Sequence, residues 1–446
     1  MLLDVARRRG AGVRAAAAVV GLAAVAISGI GCGSSAGDAM ASTATRAPAG
    51  AAAVAQAPTP TVAPPTATQA ATRPSPTETK PTAQPTPSAT ATAAATSTRA
   101  PVPTPAASGA TVAVRREFAP EFAMAERTGV EMAADGKALA IAKDGGAFLA
   151  KGELVSEVRR PGVAFDNLVL SWNAAAPAGT GLEFYARVLV EGAWTGWYAM
   201  GVWRDGKGAS VRGQSDATGR VEVDTLVLSR PAEAWQYRVV LTSADGRASP
   251  RLRSVAVAVA DRKKAPTGPA VEVPEGWVRE LPVPVESQAI QDPSVAWEIC
   301  SPTSLTMALR YWGVQTTVAE TYRGVRDGTT GIYGNWPLNT AYAAAHGLDA
   351  YVARMYSLDQ VRAEIAAGRP VIVSVKYGAG ELPGAALPST SGHIILVRGF
   401  TADGEAIIND PAGLDKSSVR RVVKADDLER VWLRSGGIAY LIAPEG

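Results

Sequence analysis

All 27 aromatic side chains of this 446-residue chain lie beyond residue 110. A stretch without large apolar side chains cannot offset the entropy of ordering it, so any core has to come from the last 336 residues. That is room for two ordinary cores. Residues 33–110 hold 13 of the 31 prolines, set among Ala, Thr and Ser with hardly a charge. Such a composition predicts an unfolded Pro/Thr/Ala-rich tether in extended polyproline geometry.

Ahead of the tether, Arg7, Arg8, Arg9 and Arg14 precede the sixteen-residue apolar run Ala15 to Ile30. The run is shorter than the ~20 residues that span a bilayer and suits the core of an export signal. Gly29-Ile30-Gly31 leads into Cys32, which resembles a bacterial lipoprotein signal whose cysteine is lipidated and becomes the new N-terminus. Gly29 stands where an aliphatic residue is usual, which keeps plain secretion as the alternative. The expectation is a signal over 1–31 and a disordered tether over 32–111, with the mature chain on the outer face of the cell membrane as a lipoprotein, or secreted. The formal net charge of +3 equals that of 1–31, with four Arg and one Asp. The mature chain is then neutral, and no nucleic-acid partner is expected.

Residues 112–262 read as an all-β sandwich accessory domain. Short alternating runs are broken by turn signals such as Asp135-Gly136, Asp144-Gly145 and Asp245-Gly246. Expected strands are Val130–Met132, Ala138–Ala142, Leu168–Trp172, Leu182–Val190, Trp197–Trp203, Val221–Leu228, Tyr237–Thr242 and Leu252–Val259. Trp194, Trp197, Tyr198 and Trp203 fall within ten residues. Exposed, they would stack on sugar rings; in the core they would bury much area, and the core reading is favoured.

A linker over 263–279 leads to an α+β segment, 280–446, that holds the chemistry. The chain has two cysteines and two histidines, which excludes a disulfide scaffold and a four-ligand Cys/His zinc site. No metal or cofactor is expected. Cys300 precedes Ser301-Pro302-Thr303-Ser304, a helix start in which Pro302 suits the first turn. Leu305, Leu309 and Trp312 share one face, and Gly313 closes the helix in left-handed geometry. At a helix N-terminus the aligned peptide dipoles favour a thiolate over a thiol. In an exported chain whose Cys32 is lipidated, Cys300 has no disulfide partner, so a nucleophile is the favoured reading over a small buried side chain. The base is then a histidine. His346 ends the helical run Leu338 to Ala345 and fits a helix terminus. His393 opens a strand, Ile394–Val397, after the loop Gly378–Gly392. If Ala402-Asp403-Gly404 turns that strand into Ala406-Ile407-Ile408, either Asn409 or Asp410 returns beside His393 to orient the imidazole.

Gln288, Cys300-Ser301-Pro302-Thr303-Ser304, Gly392-His393 and Asn409-Asp410-Pro411 resemble the papain-like double-glycine peptidase superfamily, cysteine-peptidase family thirty-nine, in its non-transporter branch. Gly334-Asn335-Trp336-Pro337 and the final Leu428–Trp432 with Gly436-Gly437 resemble secreted bacterial members that carry an N-terminal β-sandwich. The resemblance implies a papain-like cysteine peptidase domain, a helical layer with Cys300 facing a sheet with His393 and Asp410. It gives Gln288 the oxyanion role beside the Cys300 backbone N–H, with Gln291 the fallback. Ser301 stands where many relatives carry Gly, and its larger side chain is expected to narrow the site. The implied substrate is a peptide or protein, with a peptidoglycan cross-peptide within the same chemistry. The alternative is a surface module that binds peptide or cell-wall polymer without turnover.

Overall fold

Alternating apolar and polar residues fold residues 112–260 into two seven-stranded antiparallel sheets. The computed structural model describes residues 109–445. The expected signal, Cys32 and nearly all of the tether therefore lie outside the described residues. The first sheet runs Gly219–Glu222, Thr225–Ala232, Phe165–Ala175, Arg251–Ala260, Leu139–Ile141, Val130–Met132, with Val112–Glu117 also paired to Arg251–Ala260. The second runs Lys207–Ala209, Tyr198–Arg204, Thr180–Val190, Ala234–Ser243, Lys151–Val155, Glu126–Thr128, with Ala193–Trp194 on Thr180–Val190. The sheets share one core, where Trp172 of the first stacks on Phe184 of the second at a centroid distance of 4.0 Å.

One expected strand is two. Val221–Leu228 divides into Gly219–Glu222 and Thr225–Ala232, with Glu222 paired to Thr225 across a two-residue turn. Val223 sits there at φ +58°, and the Asp224 amide donates to the Glu222 carbonyl at 2.7 Å. This tight γ-turn is rare and strained for a β-branched residue, and Val-Asp carries no turn signal.

The aromatic cluster also divides. Trp203 and Tyr198 are buried in the core, while Trp194 and Trp197 are half-buried. The Arg187 guanidinium lies 4.9 Å from the Trp194 ring and 4.7 Å from Trp197, and Arg238 lies 5.0 Å from Trp197 and 4.3 Å from Tyr185. Guanidinium groups thus occupy ring faces that a sugar would need.

From residue 280 the chain forms a six-stranded antiparallel sheet in the order Leu348–Arg354, Ile438–Pro444, Val371–Tyr377, Thr390–Phe400, Ala406–Asn409, Arg420–Val423. Helices Cys300–Tyr311, Val318–Val325, Trp336–Ala345, Leu358–Ala366 and Ala425–Arg434 accompany it. Gly313 follows the first of these at φ +86°.

The two parts share a face. In Phe165–Ala175, Leu168, Leu170, Trp172 and Ala174 point into the sandwich core. The alternate residues meet the strand Leu348–Arg354: Ser171 Oγ accepts from the Val352 amide at 3.1 Å, and Asn173 Nδ2 donates to Asp349 at 2.8 Å. This strand is therefore buried on both sides, and residues 109–445 belong to one compact unit.

Candidate active site

Cys300 is the first residue of its helix, and Ile299, which precedes the helix, offers no side-chain cap. The first-turn N–H groups of a helix point away from its own carbonyls, toward the N-terminal end where Cys300 sits. Ten residues of this helix, Cys300 to Leu309, are buried, an environment that fixes the helix firmly. One turn in, Ser304 Oγ donates to the Ile394 carbonyl at 3.0 Å. Ile394 follows His393 directly, so this bond ties the cysteine helix to the histidine strand at the height of the two reactive residues.

His393 lies within Thr390–Phe400, opposite Val375, and the turn 401–405 returns the chain through Ala406–Asn409 to Asp410. His393 Nε2 is 2.8 Å from Asp410 Oδ1. With Nε2 engaged, Nδ1 is the ring nitrogen left for proton transfer. Asp410 also accepts from the Ala412 amide at 3.0 Å and from the Ala386 amide at 2.8 Å. Burial pushes its pKa up, but attraction to His393 and these hydrogen bonds prevail and hold it below the usual carboxylate value. The neighbouring Asn409 faces the other way. Its Nδ2 donates to the Pro284 carbonyl at 3.1 Å and its Oδ1 accepts from Arg398 at 3.1 Å, so it braces the strand rather than the imidazole.

The Gln288 amide donates to the Pro411 carbonyl at 2.8 Å, which brings this turn alongside Asp410. Gln288 is 2% exposed, and its Oε1 is buried without a partner among the described residues. Gln291 Nε2 instead donates to the Ser287 carbonyl at 3.0 Å, so its amide is already used in the turn. Cys300, His393, Asp410 and Gln288 are all buried, and they come from a helix start, a strand, a strand end and a turn. His346 stays apart: it caps Trp336–Ala345, with Nδ1 2.9 Å from the Tyr342 carbonyl on the exposed surface.

Ser301 corrects an expectation. Its side chain does not narrow the site, because it is fully buried and turned inward. Oγ donates to Asn339 Oδ1 at 2.9 Å and lies 3.0 Å from the Tyr440 hydroxyl. Neither contact is visible in sequence, since the partners are 38 and 139 residues away. The Ala386 amide on Asp410 was equally hidden. The loop it belongs to, between Val371–Tyr377 and Thr390–Phe400, is pinned at Glu381 by Arg434 at 2.6 Å and by Arg430 on the Glu381 carbonyl at 2.8 Å. Among the described residues no three His, Cys, Asp or Glu side chains are grouped to hold a metal ion, and no helix is long and apolar enough to cross a membrane.

Two stretches of the chain match known families. Residues 280–440 match the Peptidase_C39 like family, and residues 112–260 match the Peptidase C39 N-terminal domain. No curated protein matches the chain. Among solved structures, a C39-like peptidase from Bacillus anthracis is similar at 18% identity and a TM-score of 0.29, over 38% of this chain and 99% of its own. The two adjoining matches, a C39 N-terminal domain followed by a C39-like domain, make this chain a member of the C39-like peptidases, and hence a cysteine peptidase.

Proposed function

We propose that the chain is an exported peptidase that hydrolyses peptide bonds through Cys300, His393 and Asp410, with Gln288 in the oxyanion hole, on a papain-like α+β domain. The observation that carries this reading is the buried pair of His393 Nε2 and Asp410 Oδ1 at 2.8 Å, on a strand that Ser304 ties to the start of the cysteine helix.

In this mechanism His393 Nδ1 takes the proton of the Cys300 thiol, and Sγ attacks the carbonyl carbon of the scissile bond. Negative charge collects on the former carbonyl oxygen. The Cys300 backbone N–H and the Gln288 side-chain amide donate to it, with Gln288 oriented so that its NH2 faces the site. The C–N bond breaks as the imidazolium returns its proton to the leaving amine. Water then attacks the thioester with His393 again as base, releasing the acid and restoring the thiol. Asp410 keeps the ring aligned and stabilises its charged form, and it remains ionised throughout because its own pKa is held low.

The surroundings favour a peptide with an apolar side chain near the scissile bond. Ile290, Trp297 and Leu414 are half or more exposed. They stand two residues past Gln288, three before Cys300 and four past Asp410. Exposed apolar side chains that border the reactive residues along the chain support recognition of an apolar substrate side chain. A location on the outer face of the cell membrane through a lipid on Cys32, or secretion, belongs to the same proposal and rests on the sequence of residues 1–32. Cleavage of a peptide library by the native protein tests the reading. Products are expected with the native chain and absent with Cys300→Ala; equal products from both would overturn it.

A further inference from the structure

The N-terminal β domain reaches the cysteine helix through a continuous set of contacts, and helix Trp336–Ala345 is the element that transmits them. At its start, Asp224 Oδ2 accepts from the Trp336 amide at 2.9 Å. Asp224 is delivered by the strained turn at Val223, a cost that persists only where surrounding structure over-determines it. Beside it, Asp327 accepts from the Ser210 amide at 3.0 Å and from Asn335 Nδ2 at 3.1 Å, and Asn335 in turn caps the helix by accepting from the Leu338 amide at 3.2 Å. The Gly328 amide donates to the Gly208 carbonyl at 3.0 Å.

Packing runs the same way. Leu338 and Ala341 are counted with the sandwich core rather than with the peptidase core. Leu338 fits over Gly208 so closely that a methyl added there would lie 2.3 Å from Leu338 Cδ2 and 2.9 Å from Cδ1 and Cγ. Gly208 does not adopt a positive φ, so its small size, and not its backbone freedom, is what the site uses. The next residue along the helix, Asn339, accepts the Ser301 hydroxyl at 2.9 Å and is itself fixed by donating to the Tyr333 and Asn335 carbonyls at 2.9 and 2.8 Å. Ser301 shares its peptide bond with Cys300.

We infer that the β domain is a positioning element of the peptidase: it clamps helix Trp336–Ala345, and Asn339 uses that helix to hold Ser301 and thereby the Cys300 backbone N–H that faces the developing oxyanion. Ser301 and Asn339 are positioning residues, and Gly208 and Asp224 act through them from the other domain. This rests on the Cys300 mechanism above. It assigns the N-terminal domain a role inside the reaction and needs no separate ligand for it.

The test uses the full chain and three variants, with kcat, KM and thermal midpoint measured together. Gly208→Ala drives a methyl into Leu338; kcat should fall about tenfold to a hundredfold, as for a displacement near 1 Å of a reacting group. KM should stay within about twofold, since no substrate contact is touched. Gly208→Ala/Leu338→Ala should recover most of the loss, because the methyl then occupies space the leucine vacates. Ser301→Ala should lower kcat in the same sense, while alkylation of Cys300 by iodoacetamide, which forms no oxyanion, should change much less. A purely structural role would lower the midpoint and leave kcat of the folded protein unchanged. If Gly208→Ala is folded and turns over at the native kcat, the inference is wrong. If Gly208→Ala does not fold, Ser301→Ala decides alone, and native turnover by it would be equally fatal. A native protein that cleaves no peptide and leaves Cys300 inert would instead sink the mechanism, so the two failures are distinguishable.

Discussion

Replacing Asp224 by Asn should stabilise the protein at neutral pH and leave it unchanged in acid. Asp224 is 1% exposed and accepts two hydrogen bonds, from the Trp336 amide and the Thr225 hydroxyl, each at 2.9 Å. Burial pushes its pKa up from 3.8 to about 6, against those hydrogen bonds, which pull it down; the nearby Asp327 adds to the rise. A carboxylate at a helix start gains roughly 0.3–1 kcal/mol from the peptide dipoles, too little to reverse desolvation. The native state therefore holds its proton more tightly than the unfolded chain, so stability falls as pH rises from 3.8 to about 6 and is flat above. At about 1.36 kcal/mol per pH unit this deficit is about 3 kcal/mol at pH 7 and vanishes below pH 3.8. Asn keeps an oxygen for the Trp336 amide, and the Thr225 hydroxyl can rotate to accept from its NH2. Urea unfolding of native and Asp224→Asn protein at closely spaced pH values measures the difference directly. The gain should grow from about zero at pH 4 to ~2–3 kcal/mol at pH 7. A variant that loses stability by the same amount at every pH would refute the reasoning, because the carboxylate would then stabilise as an anion.

Three further outcomes follow from the geometry. Gln288→Ala should lower kcat about 100–1000-fold, the range for losing one oxyanion donor, whereas Gln291→Ala should act mainly on the thermal midpoint; steady-state kinetics on both decide between the two glutamines. Asp410 has the opposite linkage to Asp224: its depressed pKa supplies stability that is present above pH 3.8 and lost as pH falls through its lower folded value. Asp410→Asn should flatten the acid limb of the unfolding midpoint below pH 3.8, and an unaltered limb would remove Asp410 from that account. Trp197→Ala should be retained on purified peptidoglycan as well as the native protein, since Arg187 and Arg238 already cover the ring; weaker retention would revive sugar stacking.

Local chemistry was legible where a residue and its neighbours carry the reason together. Cys300 before Ser-Pro-Thr-Ser declares a helix start, and Asp403-Gly404 declares the turn that brings Asp410 back to His393. The choice between Asn409 and Asp410 was not legible, because successive strand-end residues face opposite ways and only the partners, Arg398 and Pro284 for Asn409, settle which faces the ring. Val223-Asp224 reads as continuous strand in sequence because its turn is held by Asp224 reaching Trp336, 112 residues on. The strand Phe165–Ala175 carries a second buried face that its sequence does not announce: beside Val169, the polar Asn167, Ser171 and Asn173 are hydrogen-bonded to Leu348–Arg354. A polar alternate face reads as solvent-facing unless the partner strand, about 180 residues away, is known.

The most direct test of the central claim is the site of covalent capture by a peptide aldehyde or chloromethyl ketone, read by mass spectrometry with hydrolysis measured on the same samples. Native protein should be modified once, at Cys300, and lose peptide hydrolysis in step with modification. His393→Ala should be modified far more slowly. Hydrolysis that survives full modification of Cys300, or persists in Cys300→Ala, would contradict the assignment of Cys300 as nucleophile.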